Sequence, residues 1–212
     1  GPYRLIGHSF GGYVSFEMER QLRQSGESVE YNILLDTLSP RLMQEMEEKS
    51  HSDLMFEIYS LLVDHFNFPA ELDQAYFDDL DEDKYFLYVQ KKLQTMGLSF
   101  SLKQVKGLLS VWETNRKARY YPENQISGEN IVLVKGRDSR AYGVDLFEQL
   151  LRTNDYGWNQ FTTTQITPVV CPGDHFSILE EPHVRDLTHL INGIGNDEEV
   201  SDRKETVPAE PA

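Results

Sequence analysis

The stretch GHSFGG, residues 7–12, puts one serine, Ser9, between glycines just where the apolar run YRLI gives way to the helix-like YVSFEM. A chain that leaves a strand and enters a helix within so few residues must turn sharply, and glycine has no Cβ to obstruct the backbone approaching on either side. Gly7 and Gly11 are the positions expected to need that freedom. Gly-x-Ser-x-Gly as a bare pattern is weak, and a plain glycine-rich turn satisfies it equally well. Its placement constrains more. A strand-to-helix elbow lifts the Ser9 hydroxyl to the C-terminal edge of a parallel sheet. The next backbone N–H, that of Phe10, then lies at a helix N-terminus, where negative charge is stabilised.

The rest of the chain supplies the sheet that such an elbow needs. YRLIGH (3–8), EYNILLD (30–36), NIVLVKG (130–136) and TQITPVVCPG (164–173) read as strands, the last weakened in its first half by Pro168. GYVSFEMERQLRQSG (12–26) carries Val14, Met18 and Leu22 at helical spacing and stops at Gly26, and EPHVRDLTHLINGI (181–194) reads as a closing helix. Strands alternating with helices predict an α/β fold with a mostly parallel sheet covered on both faces.

Between residues 41 and 122 the strand pattern is replaced by helical periodicity. DLMFEIYSLLVDHF (53–66) lines Leu54, Ile58, Leu61, Leu62 and His65 along one side, and EDKYFLYVQKKLQTMG (82–97) does the same with Phe86, Val89 and Leu93. The third helix, 101–121, opens on a capping box, Ser101 with Gln104, flanked by Phe100 and Val105 as a hydrophobic staple. These stripes read mainly as helix packing; Leu62 and Trp112 are the candidates for lining a substrate groove.

With 39% apolar residues, 212 positions suffice for one domain with a substantial core. The net charge is −15, concentrated in ELDQAYFDDLDED (71–83) and in NDEEVSDRKE (196–205), the second within a polar tail expected to be disordered. That balance argues against a nucleic-acid or anionic-membrane surface. No apolar run approaches the roughly 18 residues of a membrane span. The single cysteine, Cys171, cannot form an internal disulfide or a paired-cysteine metal site, which fits a reducing, cytoplasmic setting. The chain opens inside a strand without a start Met, so it is read as a piece of something longer.

A serine hydroxyl needs a base to become a nucleophile. Of six histidines, His51, His65, His183 and His189 fall in helical patterns, and His8 adjoins Ser9 and is expected to point away from it. His175, in CPGDHFSILEEP, follows the fourth strand in a loop at the same sheet edge as the elbow, from which it can reach Ser9. The imidazole in turn needs a carboxylate to orient it. Asp36 ends the second strand and Asp138 follows the third; both keep the chain order serine, acid, histidine. Cys171 as nucleophile is a weaker alternative, since a buried place at a strand end explains it better.

Taken together, GPYRLIGHSFGGYVSFEM, NILLDTLSP, NIVLVKGRDSRAYGVDL, NDYGW and PGDHFSILEEP resemble the terminal thioesterase domain of animal fatty acid synthases, and the related type I thioesterases of polyketide and nonribosomal peptide synthetases. The likeness runs from residue 1 to about 194. It implies an α/β-hydrolase core over 1–40 and 122–195, a helical lid inserted over 41–121, and an acidic tail from 196 to 212. It selects Asp36 as the acid. It also implies that strands preceding the elbow, and with them a second oxyanion N–H, lie outside these residues. The expected substrate is an acyl chain on the phosphopantetheine of an acyl carrier protein, in the same polypeptide, with no bound cofactor or metal. Two departures stand out: DTLSP replaces the compact Asp-Gly-Ser-Pro of many animal synthases, and Gly12 occupies a position where a larger residue is common. The rival readings are release by cyclisation, a free-standing lipase or esterase, and a non-catalytic remnant of the fold.

Overall fold

A computed structural model describes residues 1–45, 50–66, 73–78, 81–138, 153–166 and 168–195. The expected acidic tail lies outside them. Four parallel strands, β1 (Tyr3–His8), β2 (Val29–Leu35), β3 (Ile131–Gly136) and β4 (Val169–Cys171), form one sheet in sequence order. The helices are α1 (Phe10–Gln24), α2 (Pro40–Glu45), α3 (His51–Phe66), α4 (Gln74–Asp78), α5 (Glu82–Thr95), α6 (Leu102–Lys117) and α7 (His183–Gly195). None of the described helices is long and apolar enough to cross a membrane. β4 is the shortest strand; it begins immediately after Pro168, which has no N–H for a ladder.

The chain divides into two compact units. The first comprises 1–37, 125–155 and 159–212, and contains the sheet. β2 lies inside that sheet and is covered on both faces. Ile33 and Leu35 join Val134, Cys171, Leu187 and Leu190 in the cluster under α7. On the opposite face, Asn32 Nδ2 donates to the fully buried Glu19 of α1, which also accepts two bonds from Arg23, at 2.9 and 2.7 Å. A buried carboxylate is tolerated here because its lone pairs are filled.

The buried side of α1 is Gly12, Ser15, Phe16 and Glu19. Val14 and Met18, picked out in the sequence by their helical spacing, are about half exposed, at 49% and 47%. Small residues let the helix approach the sheet closely, and Phe16 and the Glu19 network fill the contact, so the most apolar stripe is not the packed one. β1 is an edge strand, paired with β2 alone among the described strands, and Tyr3 and Ile6 are 41% and 51% exposed.

The second unit comprises 38–124 and 156–158. Its core joins Met55 and Tyr59 of α3, Phe77 of α4, Tyr85, Val89 and Leu93 of α5, and Val105 of α6. The capping box forms as expected: Ser101 N–H donates to Gln104 at 2.9 Å and Gln104 N–H to Ser101 at 3.3 Å, while Phe100 packs on the cluster that contains Val105. Within the acidic run, Asp81 caps α5 by accepting from the N–H groups of Asp83 and Lys84. The Lys84 N–H bond leads in holding its carboxyl below the usual aspartate range. The Tyr156–Trp158 segment joins this unit through Ser39, whose N–H donates to the Tyr156 carbonyl at 2.9 Å. A Cβ on Gly157, whose φ is 78°, would lie 2.5 Å from Ser39 Oγ.

Candidate active site

β1 ends at His8, and α1 begins at Phe10, so Ser9 alone makes the turn. Its φ of 54° and ψ of −125° are strained for a residue with a side chain. Neighbouring groups hold that conformation. Ser9 N–H donates to the Leu35 carbonyl at 3.0 Å, and the Ser9 carbonyl accepts from Gly12 N–H at 2.9 Å and from Thr37 Oγ1 at 3.0 Å. A Cβ on Gly7 would fall 2.2 Å from the Gly11 carbonyl oxygen, so glycine is obligatory there. Gly11 is a correction to the sequence reading, since a Cβ on it would meet nothing within 4 Å. The second glycine that matters is Gly12, whose Cβ would lie 2.3 Å from Thr37 Oγ1 and 2.5 Å from its methyl group. Thr37 thus fills the space that a side chain on residue 12 would take.

Asp36 follows β2 at φ 44° and is fully buried. Its N–H still bonds across to Val134 of β3 at 2.7 Å, one Oδ accepts the Gly136 N–H at 3.0 Å, and the other accepts from His175 Nδ1 at 2.8 Å. His175 is buried, and its Nε2 lies 3.0 Å from Ser9 Oγ. The carboxylate can only accept, so Nδ1 carries the proton and Nε2 is free to take one from the serine. Asp138, the other acid named from the sequence, is exposed, and its backbone N–H is bonded to the Gly173 carbonyl at 3.0 Å. Phe10 opens α1, so its N–H has no intrahelical acceptor and remains available to an anion. Cys171 is buried in the α7 cluster, and burial raises its thiol pKa, which disfavours the thiolate a nucleophile needs.

The model for the thioesterase domain family matches residues 1–195. The chain belongs to the thioesterase domain family. Atromentin synthetase of Tapinella panuoides is 24% identical over 209 residues, which is 91% of this chain and 20% of that protein. Indigoidine synthase of Dickeya dadantii is 23% identical, over 90% of this chain and 12% of the other. The chain thus spans a fifth or less of the length of these synthetases. A four-domain nonribosomal peptide synthetase crystallised with AMP and glycine aligns with a TM-score of 0.73 and 26% identity, over 92% of this chain and 14% of that one. The NocB thioesterase domain, in covalent complex with a fluorophosphonate nocardicin G analogue, shares the fold at a TM-score of 0.52 and 19% identity, over 92% of this chain and 66% of its own. Of these, the solved four-domain protein is a nonribosomal peptide synthetase and NocB contributes a thioesterase domain; a likeness to animal fatty acid synthase is not what these matches show.

The thioesterase domain's helical unit contains the two groove candidates. The Leu62 side chain lies outside the described residues. Trp112, on α6, is half-buried, and its Nε1 is enclosed with no hydrogen-bond partner among the described residues. One residue of the site was missed in the sequence. His8, set aside as pointing away from Ser9, reaches the loop of His175: its Nε2 is 2.8 Å from the His175 carbonyl oxygen, and the two rings are 4.7 Å apart.

Proposed function

We propose that this domain releases an acyl or peptidyl chain from the phosphopantetheine thioester of a carrier protein by Ser-His-Asp hydrolysis. The observation that supports it best is the continuous chain of contacts from Asp36 Oδ2 to His175 Nδ1 at 2.8 Å and from His175 Nε2 to Ser9 Oγ at 3.0 Å. In the first step His175 Nε2 takes the Ser9 hydroxyl proton as Oγ attacks the thioester carbonyl carbon. The Phe10 N–H stabilises the oxyanion. The carbon–sulfur bond breaks, and the proton passes from His175 to the departing pantetheine sulfur. In the second step water gives a proton to His175 and attacks the acyl-serine ester; the acid leaves and Ser9 is reprotonated. Asp36 holds the imidazole in the required tautomer and stabilises its charged form.

The carrier is expected in the same polypeptide, because the similar synthetases are far longer than this chain. Tethering then replaces electrostatic attraction, which a domain of charge −15 cannot offer to an acidic carrier. Similarity to peptide synthetases favours that branch over a fatty acid synthase as the parent. Trp112, on a helix of the second unit, remains a proposed acyl-groove residue.

The test uses the intact protein with acyl-carrier thioester and the matching oxygen ester. Ser9→Ala is expected to abolish turnover and fluorophosphonate labelling, with wild type labelled at Ser9 and the thioester preferred. Labelling of the alanine variant at the wild-type rate overturns Ser9 as the nucleophile, and no labelling of the wild type overturns the hydrolase reading and leaves a non-catalytic remnant. The mass of the released product, acid or ring, separates hydrolysis from cyclisation.

A further inference from the structure

His8 has no role in the reaction as written above, yet it makes a directional contact with the base. The problem it addresses is set by topology. Ser9 follows β1 and His175 follows β4, and these strands are the two edges of the four-stranded sheet. With strands about 4.8 Å apart, the histidine loop must cross roughly 14 Å to reach the serine. It starts across at Gly173, where φ is 96° and a Cβ would lie 3.0 Å from the His183 ring. Beyond that turn the loop is braced from within. The Asp174 side chain accepts from the N–H groups of Phe176 and Ser177, both at 2.9 Å, and Ser177 Oγ accepts from Asp174 N–H at 2.9 Å. This bracing fixes the shape of the loop without tying it to β1. The bond from His8 to the His175 carbonyl makes that tie, one residue from the nucleophile, and the His8 ring packs against the imidazole itself.

We propose that His8 is a positioning residue, whose Nε2–H, donated to the His175 carbonyl, holds the histidine loop against the end of β1 so that His175 Nε2 stays within reach of Ser9 Oγ. A carbonyl oxygen only accepts, so the bond requires a proton on Nε2 of His8. His8 must also be neutral, because a second positive charge 4.7 Å away would oppose the imidazolium that His175 becomes during catalysis. Its surroundings favour this on balance: burial, followed by the nearby His175 ring, lowers the His8 pKa below its ordinary value, against smaller opposing effects of the bond to the His175 carbonyl and of Asp36. His175, on the loop after β4, and Asp36, at the end of β2, are the titratable groups acting on it.

The inference rests on the Ser-His-Asp reading, and three variants in the intact protein separate the two. His8→Gln keeps an N–H donor of similar reach, His8→Phe keeps a ring without the donor, and Ser9→Ala is the control. Displacement of a catalytic group by about 1 Å costs on the order of 10²-fold. His8→Phe is therefore expected to lower kcat, and the rate of fluorophosphonate labelling at Ser9, by up to about 10²-fold with KM unchanged. His8→Gln should recover most of that loss. A labelled wild type with His8→Phe labelled equally fast overturns the role of His8 alone; an unlabelled wild type overturns the hydrolase reading with it. Nitrogen-15 NMR of the wild type gives a test that needs no variant. The His8 ring is expected to be neutral at pH 7, protonated at Nε2 and bare at Nδ1, and to titrate below about 6.5. The other tautomer, or a charged ring at pH 7, overturns the proposal.

Discussion

β1 and β2 run side by side, paired from Arg4 with Tyr31 to His8 with Leu35, and each delivers a site residue at positive φ, Ser9 at 54° and Asp36 at 44°. Both were read from similar apolar runs, yet they reach their geometry differently. Asp36 is set by the interior of the sheet: its strand has neighbours on both sides, its N–H continues the ladder to Val134, and its carboxylate is fully buried. Ser9 leaves an exposed edge strand with a ladder bond to Leu35 on one side only, and is held besides by local devices, the close approach of Gly7 to Gly11, the Thr37 hydroxyl and the His8 tie. An interior ladder position thus secures Asp36, and a one-sided ladder with steric fit secures Ser9. Changes at the two strand ends should therefore fail in different ways.

The largest expected effect falls on the β2 side. Asp36→Asn should leave folding nearly intact while lowering kcat by about 10⁴-fold, the cost of the corresponding change in a serine protease. Asp138→Asn should cost less than tenfold, a small effect, because its exposed carboxylate has little to orient. Steady-state kinetics on the carrier thioester checks both, and a reversed ranking would move the acid to the end of β3.

The next effect falls on the β1 side and is steric. Gly7→Ala forces a Cβ to within 2.2 Å of backbone that cannot swing aside, so we expect a loss of about 3 kcal/mol in denaturant unfolding, with activity falling in step. Gly11→Ala, where the same atom meets open space, should be tolerated and even slightly favourable within a helix. Equal losses at the two glycines would show that conformational freedom, rather than close approach, is what the elbow requires.

The coupling of Gly12 to Thr37 is smaller and tests whether the two strand ends are fitted to each other. Gly12→Ala should cost about 1–3 kcal/mol through overpacking against Thr37. Adding Thr37→Gly should return part of that loss, a coupling of about 1 kcal/mol by double-mutant cycle. Additive losses would mean that the contact relaxes freely. The hydroxyl bond from Thr37 to Ser9 limits the recovery, since the double variant lacks it.

The meeting of Ser9, Asp36 and His175 was legible because each follows a strand, and strand ends converge at one edge of a parallel sheet. Choosing Asp36 over Asp138 was not legible from strand order alone; the family resemblance supplied that choice, and in the structure Asp36 is the carboxylate bonded to His175. His8 was missed because its partner lies 167 residues away on a loop that crosses the sheet, a contact for which no local pattern exists. The packed face of α1 was not legible for a related reason. Val14 and Met18 form the more apolar stripe, but close packing on the sheet selected Gly12, Ser15 and Phe16, with Glu19 buried through partners on α1 and β2. Periodicity locates an amphipathic helix; which of two competing faces is packed depends on the neighbour it meets.

The smallest expected effect is at Ile6 on the edge itself, set against its buried partner on β2. Ile6 of β1 and Ile33 of β2 are paired in register, and one is 51% exposed while the other is fully buried. Ile33→Lys should prevent folding, because an unpaired ammonium would sit within the cluster under α7. Ile6→Lys should change the stability of this chain by no more than about 0.5 kcal/mol, as surface substitutions commonly do. It should also reduce association, since a charge on an apolar edge strand opposes edge-to-edge pairing. Denaturant midpoints and light scattering of the two variants measure both quantities. The same Ile6→Lys change in the intact protein sharpens the comparison. A cost there of about 1.5–3 kcal/mol, the worth of a buried isoleucine, would mean that another element covers β1 and that the edge is an interior strand in its natural setting. An unchanged midpoint would mean that the nucleophile stands at a true edge of the sheet, held by Gly7, Thr37 and His8 without a second strand beside it.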